Sequence, residues 1–255
     1  MNDKPLILVT NDDGISAPGI RTLIHIMNTI GDVVVVAPDS PQSGMGHAVT
    51  INSTLHLEAV SIDDGPQKEY TCSGTPTDCV KIAISELLDR KPDLCVSGIN
   101  HGSNSSINII YSGTMSAAVE AGIKGIPAIG FSLCDYSWNA NFEMTKTYIQ
   151  SITRSTLKNG LDQGTVLNVN FPKPTTEYKG VMICRQANAH WEETFDKRTN
   201  PLGKDYYWLS GTFENYDKGN DTDEWALANQ YVSIVPVQFD MTAHQSINKL
   251  KNWKL

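Results

Sequence analysis

A chain of 255 residues, 40% hydrophobic and 19% charged, is long and apolar enough for one large α/β domain or a core with an appendage. A formal charge of −8 excludes a global basic footprint for nucleic-acid backbones, and no apolar run is long enough to span a bilayer. The five cysteines are dispersed and contain no CxxC, which favours free thiols in a reducing compartment over a disulfide framework or a zinc site. The opening stretch from Met1 to Pro5 has no signal-peptide organisation, so a cytoplasmic location is expected.

The apolar run Leu6–Thr10 reads as a strand that ends at once in Asn11, Asp12, Asp13 and Gly14. Pro18 suits the first position of a helix whose apolar residues Ile20, Leu23, Ile24, Met27 and Ile30 recur at helical spacing, with Gly31 as its stop. The β-branched run Val33–Ala37 fits a parallel strand covered on both faces. A polar loop follows from Pro38 to His47. Partial alternation over 49–60 and 68–72 suggests an antiparallel detour turning near Asp63, Asp64 and Gly65.

Thr75 as N-cap, Pro76 as first residue and Asp78 as third predict the next helix. A strand over 93–97, a long polar loop over 98–113 and a small-residue helix from about Thr114 come next. Further strands are expected over 126–132 and 165–171, the latter closed by Pro172, with a helix over 141–158 between them. This alternation argues for a doubly wound, three-layer α/β/α fold with a Rossmann-like, mostly parallel sheet. From His190 to Trp225 the chain turns polar and aromatic without helical period, which predicts an extended hairpin. Two readings of it stand open: an arm lying on a neighbouring subunit, or an excursion packed on its own domain. A strand over 231–237 and a helix over 243–253 close the chain. The expected division is an α/β core over 1–185, an oligomerisation arm over 186–230, and a returning strand and helix over 231–255.

Four loops carry small oxygen donors: 11–14, 38–44, 97–104 and 111–114. Loops that follow successive parallel strands share one rim of the sheet, where ligands of such folds bind. Two adjacent carboxylates at Asp12 and Asp13 need a cation, or one of them stays protonated. Carboxylate, amide and hydroxyl oxygens suit a hard ion such as Mg²⁺ or Mn²⁺. Ser112, Gly113 and Thr114 at a helix start form an anion site for phosphate, with Asn104 in the preceding loop as a further candidate contact. A hard cation beside a phosphate pocket points to phosphoryl chemistry. Taken singly, each loop also reads as a solvated turn or a helix cap.

The residues of these loops resemble a family. Thr10–Ile20 (TNDDGISAPGI) looks like the opening of the SurE survival-protein family of metal-dependent 5′/3′-nucleotidases. The stretches 37–44, 74–79, 96–100 and 111–114 match further motifs of that family in order. Asn200–Gly203, Tyr206–Trp208 and Tyr231–Pro236 are similar to its C-terminal signatures. The resemblance implies metal ligands at Asp12, Asp13, Ser43 and Asn100, holding one divalent cation per subunit. It implies hydrolysis of nucleoside 5′- and 3′-monophosphates, with short polyphosphate as a further substrate, and a homodimer or homotetramer with an exchanged C-terminal arm. The family often has acids just before its last quoted loop motif, where this chain has Ser105–Ile110.

On this reading Asp12 and Asp13 are catalytic as well as ligating, and Asn11 adds a hydrogen bond to the substrate. His47 is either the general acid or a brace for its loop. No Asp-x-Asp follows the first strand, which disfavours an aspartyl-phosphate route, and no GxGxxG follows it, which disfavours a dinucleotide site. The alternative function is a phosphoryl switch, or a module that binds nucleotide or phosphate without hydrolysis. No nucleic-acid polymer and no membrane is expected as partner.

Overall fold

The computed structural model describes residues 4–173 and 177–253. Met1–Asp3 of the opening stretch and the last two residues of the closing segment lie outside the described residues. The strands are β1 (Leu6–Thr10), β2 (Asp32–Pro38), β3 (Leu57–Val60), β4 (Lys68–Cys72), β5 (Leu94–His101), β6 (Ala128–Leu133), β7 (Thr165–Phe171), β8 (Val181–Ile183), β9 (Ala189–Thr199), β10 (Asp205–Asn215) and β11 (Val232–Gln238). The α-helices are α1 (Pro18–Met27), α2 (Pro76–Ile82), α3 (Gly113–Ile123), α4 (Lys146–Asn159), α5 (Asp223–Ala228) and α6 (His244–Lys251).

Nine strands form one sheet in the order β3-β4-β2-β1-β5-β6-β7-β11-β8. The run from β4 to β7 is parallel throughout, whereas β3 and β11 pair antiparallel with their neighbours β4 and β7. Alternation along the strands divides the core. Ile7 and Val9 of β1 and Val33 and Val35 of β2 face one layer with Ile20, Leu23 and Ile24 of α1 and Ile149 of α4. Leu8, Val34 and Val36 face the other layer with Cys79 and Val80 of α2 and Met115, Ala117 and Ala118 of α3. This is the three-layer architecture expected from the alternation of elements. The capping box at the start of α2 forms as its spacing predicts, with Thr75 and Asp78 exchanging side-chain and backbone bonds.

The structure departs from expectation at several points. The alternating stretch over 49–60 is strand only over Leu57–Val60. β5 runs beyond Ser97 to His101 across a register shift, because its end still pairs with β6. A 3-10 turn over Ser106–Tyr111 interrupts the expected loop. The helix expected from 141 begins as α4 at Lys146, after a short 3-10 turn. β8 and α5 are too short to leave a periodic signal. β9 and β10 pair along their whole length as a two-stranded ribbon outside the main sheet, the hairpin expected of the aromatic stretch.

Candidate active site at the carboxyl rim of the sheet

β1 pairs with β2 on one side and with β5 on the other, so the strand order reverses there. The loops leaving these strands diverge around a crevice, the place where open α/β sheets bind ligands. A cleft of about 370 Å³ opens at this rim, and Asp12, Asp13, Ser43, Asn100, Asn104 and Ser112 all line it. These six expected residues converge from loops separated by up to a hundred positions.

Each is held by a definable contact. The Asp12 carbonyl accepts the N–H of Gln42 at 2.7 Å, tying the Ser43 loop to the end of β1. Asp13 accepts the backbone N–H of His101 at 3.1 Å, which joins the first loop to the end of β5. Asn100 donates its Nδ2 to the Gly102 carbonyl at 2.9 Å, so its amide oxygen is left as the acceptor facing other uses. Ser112 caps α3 by accepting the Met115 N–H at 3.0 Å. Gly98, at φ +123, has no room for a side chain: a Cβ there would lie 2.3 Å from the Phe131 carbonyl oxygen of β6.

The other four expected residues stand behind this wall. Asn11 is buried and donates Nδ2 to the Gly14 carbonyl at 2.9 Å, while its Oδ1 has no partner. Thr114 is fully buried and gives its hydroxyl to Asp12 Oδ1, which commits that hydroxyl to the carboxylate. Gly113 allows the start of α3 to approach Asp12, because a Cβ there would sit 2.7 Å from the Asp12 Cβ. His47 lies outside the cleft lining, with Nε2 3.1 Å from Glu120 Oε2, and Lys81 Nζ meets the other oxygen of Glu120 at 2.7 Å.

Sequence reasoning did not single out His101, Ser103, Asn108, Tyr136 or Trp191 as site residues, yet they complete the lining. Tyr136 follows β6, another parallel strand that ends on the same rim, and that was the available signal. Trp191 stands at the base of the ribbon and donates Nε1 to Asn108 Oδ1 at 2.8 Å. Two asparagines at strand spacing in β7 also went unremarked. Asn170 accepts the Asn104 N–H and Asn168 donates to the Asn104 carbonyl, each at 2.8 Å, so a buried amide pair braces that turn.

The electrostatics of the cleft are acidic. Burial, and then the neighbouring charge of Asp13, pushes the Asp12 carboxyl up to about 6. Burial likewise raises Asp13. Among the described residues no Lys or Arg lines the cleft to offset the pair. The buried Asp12 and half-buried Asp13 carboxylates and the hard oxygens of Ser43 and Asn100 together fit a divalent oxygen-seeking ion, with the unpartnered amide oxygen of Asn11 behind them. Among the described residues no group of three or more His, Cys, Asp or Glu side chains gathers to hold a metal, in this cleft or outside it, so a cation here would rest on two carboxylates with amide and hydroxyl oxygens. A larger cleft of about 640 Å³ lies at the opposite rim, but its wall is basic, with Lys4, Arg90, Arg154 and Lys158.

Residues 7–193 match the family described as Survival protein SurE. The chain is 70% identical over 253 residues to 5′-nucleotidase SurE of Flavobacterium psychrophilum, covering 99% of this chain and 98% of that protein. It is 68% identical over 255 residues to 5′-nucleotidase SurE of Flavobacterium johnsoniae, covering 100% and 98%. Among solved structures it resembles the SurE protein from Aquifex aeolicus, with a TM-score of 0.83 and 37% identity over 97% of this chain and 98% of that one.

Proposed function

The chain belongs to the SurE survival-protein family, and on that premise we propose that it is a divalent-metal-dependent phosphomonoesterase that hydrolyses nucleoside 5′- and 3′-monophosphates to nucleoside and phosphate. Nucleotidase activity follows from its full-length relatives at 68–70% identity, which carry that activity in their names. The observation that supports the chemistry is the convergence of the buried Asp12 and half-buried Asp13 carboxylates with hydroxyl and amide oxygens in a cleft lined, among the described residues, by no Lys or Arg.

In this reading Asp12, Asp13, Ser43 and Asn100 hold one Mg²⁺ or Mn²⁺ ion. When bound, it supplies positive charge for the phosphate oxygens and acidifies a water. Thr114 and Gly113 fix the Asp12 carboxylate, the first by its hydroxyl and the second by having no side chain. Ser112 and the start of α3 turn the positive end of the helix toward the phosphate. Asn104 contacts the substrate from a turn that the Asn168–Asn170 pair keeps rigid. Phosphate esters leave the protein little covalent work, so this positioning and charge carry the reaction. His47 takes the bracing role, because Glu120 already occupies its Nε2.

The β9–β10 ribbon is the element we assign to subunit exchange, within an arm over 186–230 between a core over 1–185 and a closing segment over 231–255. Phe195, Trp208 and Leu209 on it are each more than 60% exposed. The five free cysteines support a reducing, cytoplasmic setting. No helix among the described residues is long and apolar enough to cross a membrane.

Phosphate release from a panel of nucleoside 5′- and 3′-monophosphates and short polyphosphate, with Mg²⁺ or Mn²⁺, tests the proposal. Turnover of the monophosphates that stops on chelation and returns with either metal is expected. Binding of the nucleotides without release of phosphate would establish the non-hydrolytic alternative instead.

A further inference from the structure

Behind the cleft wall a short chain of oxygen atoms leads to a carboxyl that the acid pair does not explain. Ser103 lines the cleft, and its Oγ lies 2.5 Å from Oγ of Ser105. The Ser105 hydroxyl is hydrogen-bonded in turn to Oε1 of Glu224. The Ser105 N–H also donates to Ser103 Oγ at 3.2 Å, which fixes the first hydroxyl on the wall. The loop over 105–110 contains no acid of its own. The carboxyl arrives from α5, 119 residues further along the chain.

Nothing in its surroundings neutralises Glu224. Among the described residues it makes no ion pair. Asp223, its neighbour on α5, is a second negative group, absorbed by the backbone N–H groups of Ser106, Ala187 and Glu224 at 2.8–2.9 Å. Cys134 and Tyr136, from the segment after β6, each hydrogen-bond to Ser103, the first to its side chain and the second to its backbone, and neither brings a positive charge. Burial raises the Glu224 carboxyl above the ordinary range; the Ser105 bond opposes this and the Asp223 charge adds to it.

We propose that Glu224 stores the proton needed by the leaving group and passes it through Ser105 and Ser103 to the ester oxygen of a bound nucleoside monophosphate. The proposal rests on the phosphomonoesterase reading above and supplies the acid which that reading lacks. As the phosphorus–oxygen bond to the ribose breaks, its electron pair stays on the ribose oxygen. That oxygen takes a proton from Ser103, Ser103 takes one from Ser105, and Ser105 takes one from Glu224, which is left as a carboxylate. The attacking water forms the new bond to phosphorus and loses its proton to the phosphate or to solvent. Solvent then returns a proton to Glu224. In the acid form both serine hydroxyls donate toward the cleft; in the carboxylate form both donate toward Glu224. A ribose alkoxide is a strong base and needs such a proton, whereas a nitrophenolate does not.

Glu224→Gln keeps an acceptor for Ser105 and removes the acid. With the metal-loaded full-length protein, its kcat on a nucleoside 5′-monophosphate falls about 10²-fold, and its loss on p-nitrophenyl phosphate is at least about tenfold smaller. The alkaline limb of the nucleotide pH profile moves with it. Ser105→Ala reproduces the leaving-group dependence and Ser105→Thr restores the rate, which decides the matter should Glu224→Gln fold poorly. Independently of turnover, the wild-type infrared spectrum contains a protonated-carboxyl band that titrates above the ordinary carboxylate range and that Glu224→Gln lacks. Equal losses on both esters, or no loss on either, would overturn the relay while leaving the esterase intact. Failure of the wild-type protein to hydrolyse either ester would overturn the phosphomonoesterase reading itself.

Discussion

At the scale of single residues, the site depends on how tightly Asp12 is confined. It is 4% exposed, bonded to Thr114 and pressed by the start of α3. Asp12→Ala and Asp13→Asn each remove a carboxylate from the cation, and each is expected to lower kcat/KM on the order of 10³-fold. Phosphate-release assays after chelation and metal re-addition measure this, and near-wild-type turnover would refute the ligand assignment. Gly113→Ala acts without removing any donor. Its Cβ would overlap Asp12, so we expect activity to fall by at least about tenfold, with a stability cost of about 1–3 kcal/mol from overpacking. Urea melts of the metal-free protein, set beside kcat, separate the two effects. Asp12 and Asp13 stood out because two acids directly after an apolar run are chemically conspicuous, whereas Ser43 and Asn100 were singled out only through the family resemblance, since a lone serine or asparagine in a loop reads as a turn or a brace. Ser103 and Glu224 were not: a serine in a serine-rich loop and an acid in a polar stretch acquire meaning only when folding brings them into contact.

At the scale of elements, α2 shows how much a local signal is worth. Asp78 accepts from the N–H and hydroxyl of both Thr50 and Thr75, so one carboxylate closes the capping box and anchors the loop entering β3. Burial raises its carboxyl, but the Thr50 and Thr75 bonds win and hold it below the ordinary value. With the folded-state pKa depressed, the unfolded chain binds the extra proton. The stabilisation is therefore complete above the unfolded value near 3.9 and is lost as pH falls through the folded one. Asp78→Ala should cost about 1–2 kcal/mol near neutrality, and its deficit against wild type should shrink in thermal melts run at progressively lower pH. A deficit independent of pH would remove the charge from the argument. The β9–β10 hairpin was equally visible as aromatic residues without helical period, whereas β8 and α5 were not. Elements of three and six residues owe their geometry to neighbours rather than to any pattern of their own.

For the whole molecule, the strand order places the carboxyl ends of β1, β2 and β5 around one crevice, and the cation binding proposed there would link site to stability. A ligand that binds only the folded state raises the melting temperature. Millimolar Mn²⁺ or Mg²⁺ should therefore stabilise the wild-type protein and leave Asp12→Ala unmoved, a contrast that differential scanning calorimetry resolves. An equal rise in both would place the ion elsewhere. The alternation of strand and helix, the capping box and the oxygen-rich loops could all be read from the chain alone, because periodicity, caps and hard donors are local properties of neighbouring residues. Which donors meet was decided by the sheet. The commitment of Thr114 to Asp12, the capture of His47 by Glu120, the amide brace behind Asn104 and the reach of Glu224 to Ser105 all join residues between 64 and 119 positions apart. Only the close packing of layers and loops brings such groups within hydrogen-bonding distance.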